Sequence, residues 1–228
     1  MVKKRSRTII FIAIVTSIII ILSFLILTNL SSQGLVAAPG VRKGDEFTYD
    51  LKGYWSSNDP EATIPENLPQ INMTDWFKVT ITDVNGADIT IETVWHFNNG
   101  TEITGTGNIN VETGIHYPTN GFWGIYASNL KANDFVRPTG PDRSTINQTS
   151  TRNYASGTRE TNRISLEIKY YDANDPTYTT TWTEYMNTHF DKQTGILVEL
   201  RDTSVYTNPD QTITLLWTII NTNRWQIS

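Results

Sequence analysis

Residues 164–170, ISLEIKY, alternate between apolar and polar side chains along their whole length. Successive side chains of an extended chain point to opposite faces, so the Ile, Leu and Tyr side chains share one face and the Ser, Glu and Lys side chains share the other. The same period of two recurs in residues 77–81, 178–190 and 213–219, with many β-branched and aromatic residues. This pattern predicts strands with one buried face, and therefore an all-β domain.

Turn sequences between these stretches predict hairpins. In Asn85-Gly86, both residues tolerate the positive φ that a type I′ turn requires. Short connections place neighbours in sequence side by side and antiparallel. The pattern therefore predicts an antiparallel meander of about eight strands that forms a strongly curved sheet or an open barrel. The expected strands cover residues 41–49, 76–84, 87–97, 101–111, 160–171, 177–190, 196–207 and 211–221.

The middle of the domain departs from this pattern. Residues 121–130, GFWGIYASNL, space their apolar side chains roughly as a helix does. Residues 131–157 are rich in Pro, Gly, Asn, Ser and Thr and show little periodicity. We expect a short helix and a long loop that cover one mouth of the structure. They would separate an N-terminal sheet from a C-terminal sheet.

The N-terminal segment has the features of a membrane anchor. Residues 8–28 are uncharged and mostly apolar, and they follow the basic cluster KKRSR at residues 3–7. A helix of this length covers the ~30 Å hydrocarbon core of a bilayer. No further basic residue occurs before Arg42, so the positive-inside rule places the N-terminus in the cytoplasm. The expected order is a cytoplasmic tail at 1–7, a single transmembrane helix at 8–28, a linker at 29–40 and an extracytoplasmic domain at 41–228, in the cell membrane.

Two other interpretations of this segment remain open. A signal peptide could be cut after Ala37, although its apolar region normally has only ~7–15 residues. The segment also resembles the N-terminal helix of archaeal pilins and flagellins, which follows a basic N-terminus and packs in the core of a filament.

The composition excludes several kinds of chemistry. The chain has no cysteine, which excludes thiol catalysis, disulfides and a lipid-modified cysteine. All 23 acidic residues lie beyond residue 44, and an acidic surface argues against nucleic-acid binding. No serine-nucleophile motif or complete phosphate loop occurs. The sequence therefore predicts a protein that is not an enzyme and has no cofactor.

No metal site is predicted either. The three histidines, His96, His116 and His189, lack a metal-ligand spacing. The oxygen-rich residues 172–175, DAND, suit a hairpin turn better than a calcium loop, because Asx residues favour turns and the rest of the calcium pattern is absent.

Aromatic residues are the feature of the domain that most suggests a binding surface, since the chain has 7 Trp and 10 Tyr. Most aromatic residues in strands should fill the core. Within residues 121–130, Trp123 and Tyr126 are the candidates for contact with an apolar or glycan ligand, since both are large, rigid and polar at one end. The alternative is that both pack inward and seal the core.

Three asparagine sequons fall in expected turns or loops of the outer domain, where a glycan acceptor must be exposed. The candidate glycosylation sites are Asn72, Asn99 and Asn147.

Three short stretches resemble uncharacterised archaeal membrane-anchored surface proteins. Gly44-Asp45-Glu46-Phe47-Thr48-Tyr49 matches their Gly-Asp-x-Phe-x-Tyr opening strand, and residues 129–134 match an Asn-Leu-x-x-x-Asp turn. Residues 190–199 match an Asp-x-x-Thr-Gly-x-Leu hairpin, which is also similar to one in bacterial periplasmic lipoprotein carriers with a curved half-barrel. The resemblance implies a fold and a location, and it supplies no catalytic residue.

Together these features predict a membrane-anchored, non-catalytic binding module for an apolar or glycan ligand. The alternative function is a structural or adhesive component of the cell envelope. A pilin-like filament subunit ranks below this alternative. The sequence leaves the oligomeric state and the identity of the ligand open.

Overall fold

The computed structural model describes residues 38–117, 120–171 and 180–228. They belong to a unit that begins at Ala37. The transmembrane helix expected at residues 8–28 therefore lies outside the described residues. Within the described ranges, no helix is long and apolar enough to cross a membrane.

The described residues form strands with one very short helix. The helix α1 spans Leu68–Asn72. The strands are β1 Glu46–Ser57, β2 Thr74–Asn85, β3 Asp88–Phe97, β4 Glu102–Asn110, β5 Gln148–Tyr154, β6 Gly157–Tyr171, β7 Thr180–Asp191, β8 Leu197–Thr207 and β9 Asp210–Thr222.

All nine strands belong to one open, antiparallel sheet in the order β4-β3-β2-β1-β9-β8-β7-β6-β5. The all-β class and the meander that the sequence predicts are confirmed. The division into two sheets is wrong, because β1 pairs with β9 along its length, for example Leu51 with Trp217. That pairing joins strands far apart in sequence, so no turn signal between them could reveal it.

One face of the sheet carries the core. Leu166, Met186, Asp202, Leu215 and Gly53 face one another across β6, β7, β8, β9 and β1 and mark one row of this face. Residues two positions along each strand continue it, because side chains alternate between faces. Its largest completely buried side chains include Tyr49, Phe47, Phe77 and Phe190.

The segment that connects β4 to β5, residues 111–147, crosses this face, and we call it the covering segment. The short helix expected at residues 121–130 is absent. The chain instead pairs with the β7–β8 connection, since the Tyr126 amide donates to the Gly195 carbonyl and the Leu197 amide donates to the Gly124 carbonyl. Two glycines weaken an isolated helix here. Hydrogen bonds to distant residues then outweigh the helical spacing of the apolar side chains.

Strand β5 lies where the sequence predicts a loop. Its seven residues, QTSTRNY, pair with β6 from Gln148 opposite Arg163 to Tyr154 opposite Gly157. This edge strand has no fully buried residue, so it needs no apolar alternation. The expectation of eight strands was therefore one too few.

The turn between β2 and β3 also differs from the predicted one. Asn85 pairs with Asp88, so the two turn residues are Gly86 and Ala87. Only Gly86 has a positive φ, at 59°. A positive φ at the first turn residue alone is the pattern of a type II′ turn, which places glycine at that position. The predicted type I′ turn at Asn85-Gly86 is therefore wrong in type and, by one residue, in position.

Candidate functional site

The covering segment is fixed to the sheet by Phe122. This buried ring lies 5.6 Å from the ring of Tyr49, 6.2 Å from that of Phe77 and 6.0 Å from that of Trp217. Tilted and offset arrangements at such distances are the favoured geometries of aromatic pairs. The cluster fills the space between the covering segment and the sheet at Phe122. Two cavities remain beside it, and Trp123 lines both.

The first cavity has a volume of about 330 Å³, and we call it the arginine cavity. Its floor is the sheet face at Ile164, Leu166 and Met186, and its upper walls come from the covering segment. Trp123, Tyr126, Arg137 and Asp142 contribute the aromatic and charged side chains of these walls. A space of this size with a mostly apolar lining and a few polar groups is typical of a small-molecule site.

Tyr126 and Arg137 form the polar corner of the arginine cavity. The Tyr126 ring is 2% exposed and stacks on Phe190 at 4.3 Å between centroids. The Arg137 guanidinium lies over the Tyr126 ring, with Cζ 4.5 Å from the ring centroid. Arg137 Nη1 donates a hydrogen bond to the Ile125 carbonyl at 2.7 Å. Burial raises the pKa of Tyr126 and lowers the pKa of Arg137. Tyr126 therefore stays neutral at physiological pH.

The second cavity, about 370 Å³, lies further along the same face, and we call it the acid cavity. Leu200, Leu215 and Trp217 give it an apolar wall, and Glu184 and Asp202 contribute two carboxyl groups. Burial, followed by the charge of Glu184, raises the pKa of Asp202 to about 6. Asp202 Oδ1 is buried without a hydrogen-bond partner.

The two cavities meet at Trp123 and Met186, which line both. Trp123 is half-buried, and its ring lies 6.3 Å from that of Tyr126 in an edge-to-face arrangement. The structure thus brings both predicted ligand-contact residues to one cavity wall. That they bind a ligand stays a prediction.

Three chemically important residues were not predicted from the sequence. Glu184 and Asp202 interrupt the apolar side of β7 and β8, and a carboxyl group at such a position is a signal that could have revealed them. Arg137 lies in the irregular residues 131–147, where no periodicity marks which side chains are buried.

The histidines do not converge. His96 stacks on Trp76 and contacts Glu102, with 3.0 Å between Nδ1 and Oε1. His116 lines the arginine cavity, and burial lowers the pKa of His189. Over the residues that the structure describes, no group of His, Asp and Glu side chains is arranged to hold a metal ion. The loop at 172–175 lies outside those residues.

The three candidate glycosylation sites are exposed. Asn72 Nδ2, the atom that would carry a glycan, donates to the Gly53 carbonyl at 2.9 Å. Asn99 Oδ1 accepts from the Thr101 amide in a turn, and Asn147 Oδ1 accepts from the Ser165 amide. Of these three residues, only Asn72 forms a hydrogen bond through the nitrogen to which a glycan would be attached.

The raised pKa of Asp202 predicts a pH dependence of stability. Between its ordinary value of 3.8 and about 6 the folded chain binds more protons than the unfolded chain, so stability should fall as the pH rises through this window. Asp202→Asn should remove this loss, which partial exposure limits to about 1–2 kcal/mol at pH 7. Urea unfolding at pH 4 to 8 measures it. Glu167→Gln, at an exposed carboxylate, is the control, and equal pH slopes in the wild type and Asp202→Asn would contradict the assignment.

A comparison of the sequence with protein-family models and with curated proteins gave no match. These two comparisons therefore assign no ligand to the arginine cavity or to the acid cavity.

Proposed function

We propose that the domain is a non-catalytic binding module for an apolar ligand, held outside the cell membrane by a transmembrane helix at residues 8–28. The observation that carries the proposal is the pair of apolar cavities that meet at Trp123 and Met186. A sealed core would place these side chains against protein on all sides. Here a half-buried tryptophan separates two spaces, each large enough for part of a small ligand.

The proposal includes a strong curvature of the sheet around this face. Gly114 and His116 follow edge strand β4, whereas Ile164 and Leu166 belong to β6 near the opposite edge, and all four line the arginine cavity. Adjacent strands lie ~4.8 Å apart, so a flat sheet would separate β4 from β6 by roughly 34 Å. The short distance across the cavity supports a sheet that bends towards itself, as the resemblance to half-barrel carriers implies.

An apolar ligand suits the cavities better than a glycan. A sugar needs many hydrogen-bond donors and acceptors, whereas Ile164, Leu166, Met186, Leu200 and Leu215 offer none. Polar groups that could fix the orientation of a ligand lie at the rim and corner of the arginine cavity and at the two carboxyl groups of the acid cavity; in the arginine cavity they are Thr113, His116, Arg137, Asp142, Ser144 and Thr188. A mostly apolar lining with few polar groups is the usual composition of sites for apolar ligands.

A binding experiment with dodecanol, a neutral apolar probe, tests the function. The full chain in phosphatidylcholine nanodiscs is dialysed against radiolabelled probe, with empty discs as the reference. Trp123→Ala should weaken dodecanol binding about fivefold to tenfold, because it removes the wall that the cavities share. Trp76→Ala is the matched control, since Trp76 stacks on His96 away from both cavities. Unchanged or tighter binding by Trp123→Ala, or no binding by the wild type, would refute the proposal.

The location of the domain has its own test. The basic residues 3–7 precede the apolar segment, and no basic residue follows it before Arg42, so we expect the β domain to lie outside. A protease added to intact cells should digest the domain and leave a short anchored stub. Survival of the domain until the membrane is permeabilised would contradict the orientation.

A structural or adhesive role in the envelope is the second candidate. The open sheet ends in two edge strands, and β4 and β5 are mostly exposed, including Ile103 on β4. Exposed edges can pair with strands of other chains. This role predicts self-association that rises with protein concentration, which analytical ultracentrifugation would detect. A monomer at all concentrations, together with probe binding, would favour the binding module.

A further inference from the structure

We propose that the arginine cavity binds the anionic head of an amphiphilic ligand, with Arg137 as the counter-charge and the sheet face as the site for the apolar tail. The inference rests on the proposed function and narrows the ligand from apolar molecules in general to amphiphiles that carry a carboxylate or a phosphate.

The starting observation is a buried cation without an anion. Arg137 is 6% exposed and forms no ion pair with any residue that the structure describes. Among the described residues it forms one hydrogen bond, from Nη1 to the Ile125 carbonyl, so the other N–H donors of the guanidinium have no acceptor from this part of the chain. Buried charges in proteins are normally paired. A ligand anion would supply the partner that the chain does not.

The surroundings hold Arg137 in place. An added Cβ at Gly114 would lie 3.0 Å from both Cγ and Nε of Arg137, and one at Gly140 would lie 3.0 Å from its Cβ. Two glycines thus leave a slot for the arginine side chain, and the Tyr126 ring supports the guanidinium by a cation–π contact at 4.5 Å. An arginine held by neighbours loses little further freedom when it binds an anion, and its planar group suits a carboxylate or phosphate.

Two other groups on the cavity lining influence an anion. The exposed Asp142 carboxylate accepts a hydrogen bond from the Ser144 amide and partly offsets the charge of Arg137 without touching it. The exposed His116 contacts the Gly114 carbonyl, with 3.0 Å between that oxygen and Nδ1. An entering anion therefore has to overcome repulsion from Asp142, which makes this residue a sensitive point for a test.

The apolar part of the ligand has a continuous path. Ile164, Leu166 and Met186 form the floor next to Arg137, and Met186 and Trp123 continue it into the acid cavity. There the carboxyl groups of Glu184 and Asp202 would repel a second anion. The distribution of charge thus sets the direction of the ligand, with its anionic head at Arg137 and its tail towards Trp123.

The test compares dodecanoate with dodecanol, which have the same chain length and differ in charge. Both affinities are measured by equilibrium dialysis on the full chain in phosphatidylcholine nanodiscs. Arg137→Gln should lower the ratio of dodecanoate to dodecanol affinity about tenfold, since it removes a charge-assisted contact. Asp142→Asn should raise this ratio about twofold to threefold, because it removes the competing negative charge.

The possible results distinguish failure of the anionic-head proposal from failure of the proposed binding function. If the wild type binds neither probe, the proposed function fails. If it binds dodecanol but the affinity ratio is the same in the wild type, Arg137→Gln and Asp142→Asn, only the anionic head is refuted. Asp142→Asn alters an exposed residue, so it decides the question even if Arg137→Gln does not fold.

A second arm identifies the source of the anion. Part of the phosphatidylcholine in the discs is replaced by phosphatidylglycerol. If phosphatidylglycerol displaces dodecanoate from the wild type, the result would support a lipid headgroup as the anion. Asp142→Asn should then need less phosphatidylglycerol than the wild type for the same displacement. Dodecanoate binding that phosphatidylglycerol does not displace would support a free fatty acid.

Discussion

Replacing Asp191 by Asn should lower the free energy of unfolding by about 3–5 kcal/mol, the cost of breaking a buried ion pair from one side. Asp191 is 1% exposed, and its carboxylate accepts from Arg159 Nε at 2.7 Å and Nη2 at 2.9 Å. The amide and the hydroxyl of Thr194 donate to the same carboxylate at 2.8 Å. An amide group cannot accept all of these bonds, and it would leave the Arg159 charge without its partner. Urea unfolding measures the loss.

A neighbouring ion pair provides the control for this prediction. Lys192 Nζ lies 2.8 Å from Glu160 Oε2, and the Glu160 side chain is largely exposed. Exposed pairs contribute little, so Glu160→Gln should change the free energy of unfolding by less than about 1 kcal/mol. Equal losses in the two variants would mean that the Arg159–Asp191 pair is no more important than a surface pair.

The effect of Asp191→Asn should reach the candidate site. Asp191 organises the β7–β8 turn, and Gly195 in that turn accepts a hydrogen bond from the Tyr126 amide. Gly195 has a φ of 74°, and a Cβ there would lie 2.0 Å from the Tyr126 carbonyl oxygen. The turn and the covering segment are thus in close backbone contact. Loss of the turn geometry should loosen Tyr126 and, with it, the polar corner of the arginine cavity.

The second large effect is expected for Phe122→Ala, which should cost about 3–5 kcal/mol of stability. The ring is 2% exposed and lies among Tyr49, Phe77 and Trp217. Its removal leaves a void that neighbouring strands cannot close, because their backbones are fixed by the sheet. We also expect faster hydrogen exchange at the amides of Ile125 and Tyr126, since the covering segment loses its contact with the sheet centre.

Trp123→Ala is the matched variant, one residue along the chain. Trp123 is half-buried and borders two cavities, so its truncation should cost about 1–2 kcal/mol and leave the exchange of the Tyr126 amide near that of the wild type. Adjacent aromatic residues would then have separate roles, because the fold would depend on Phe122 much more than on Trp123. A loss as large as that of Phe122→Ala would mean that both residues simply fill the core.

The sequence patterns of this chain differ in how far their outcome depends on residues distant in sequence. The alternation in ISLEIKY and the turns between strands depend on neighbours in sequence, so the all-β class and the meander could be predicted. The spacing in GFWGIYASNL is also local, but the backbone of residues 124–126 bonds to Gly195 and Leu197. Tertiary hydrogen bonds decided the structure there, and the helix prediction failed.

The sequence by itself determined where seven of the nine strands lie, which face of each is apolar, and that Trp123 and Tyr126 stand apart from the strand pattern, whereas β1 was expected at 41–49 and spans Glu46–Ser57, and β5 was expected as a loop. The tertiary structure alone decided that β1 and β9 join the two halves into one sheet and that β5 extends its edge. It also decided that Arg137 lines the arginine cavity and that Glu184 and Asp202 line the acid cavity, with Trp123 on the wall of both. The physical reason is range: side-chain alternation and turn preferences act over a few residues, whereas burial of a charge depends on groups brought together from distant parts of the chain.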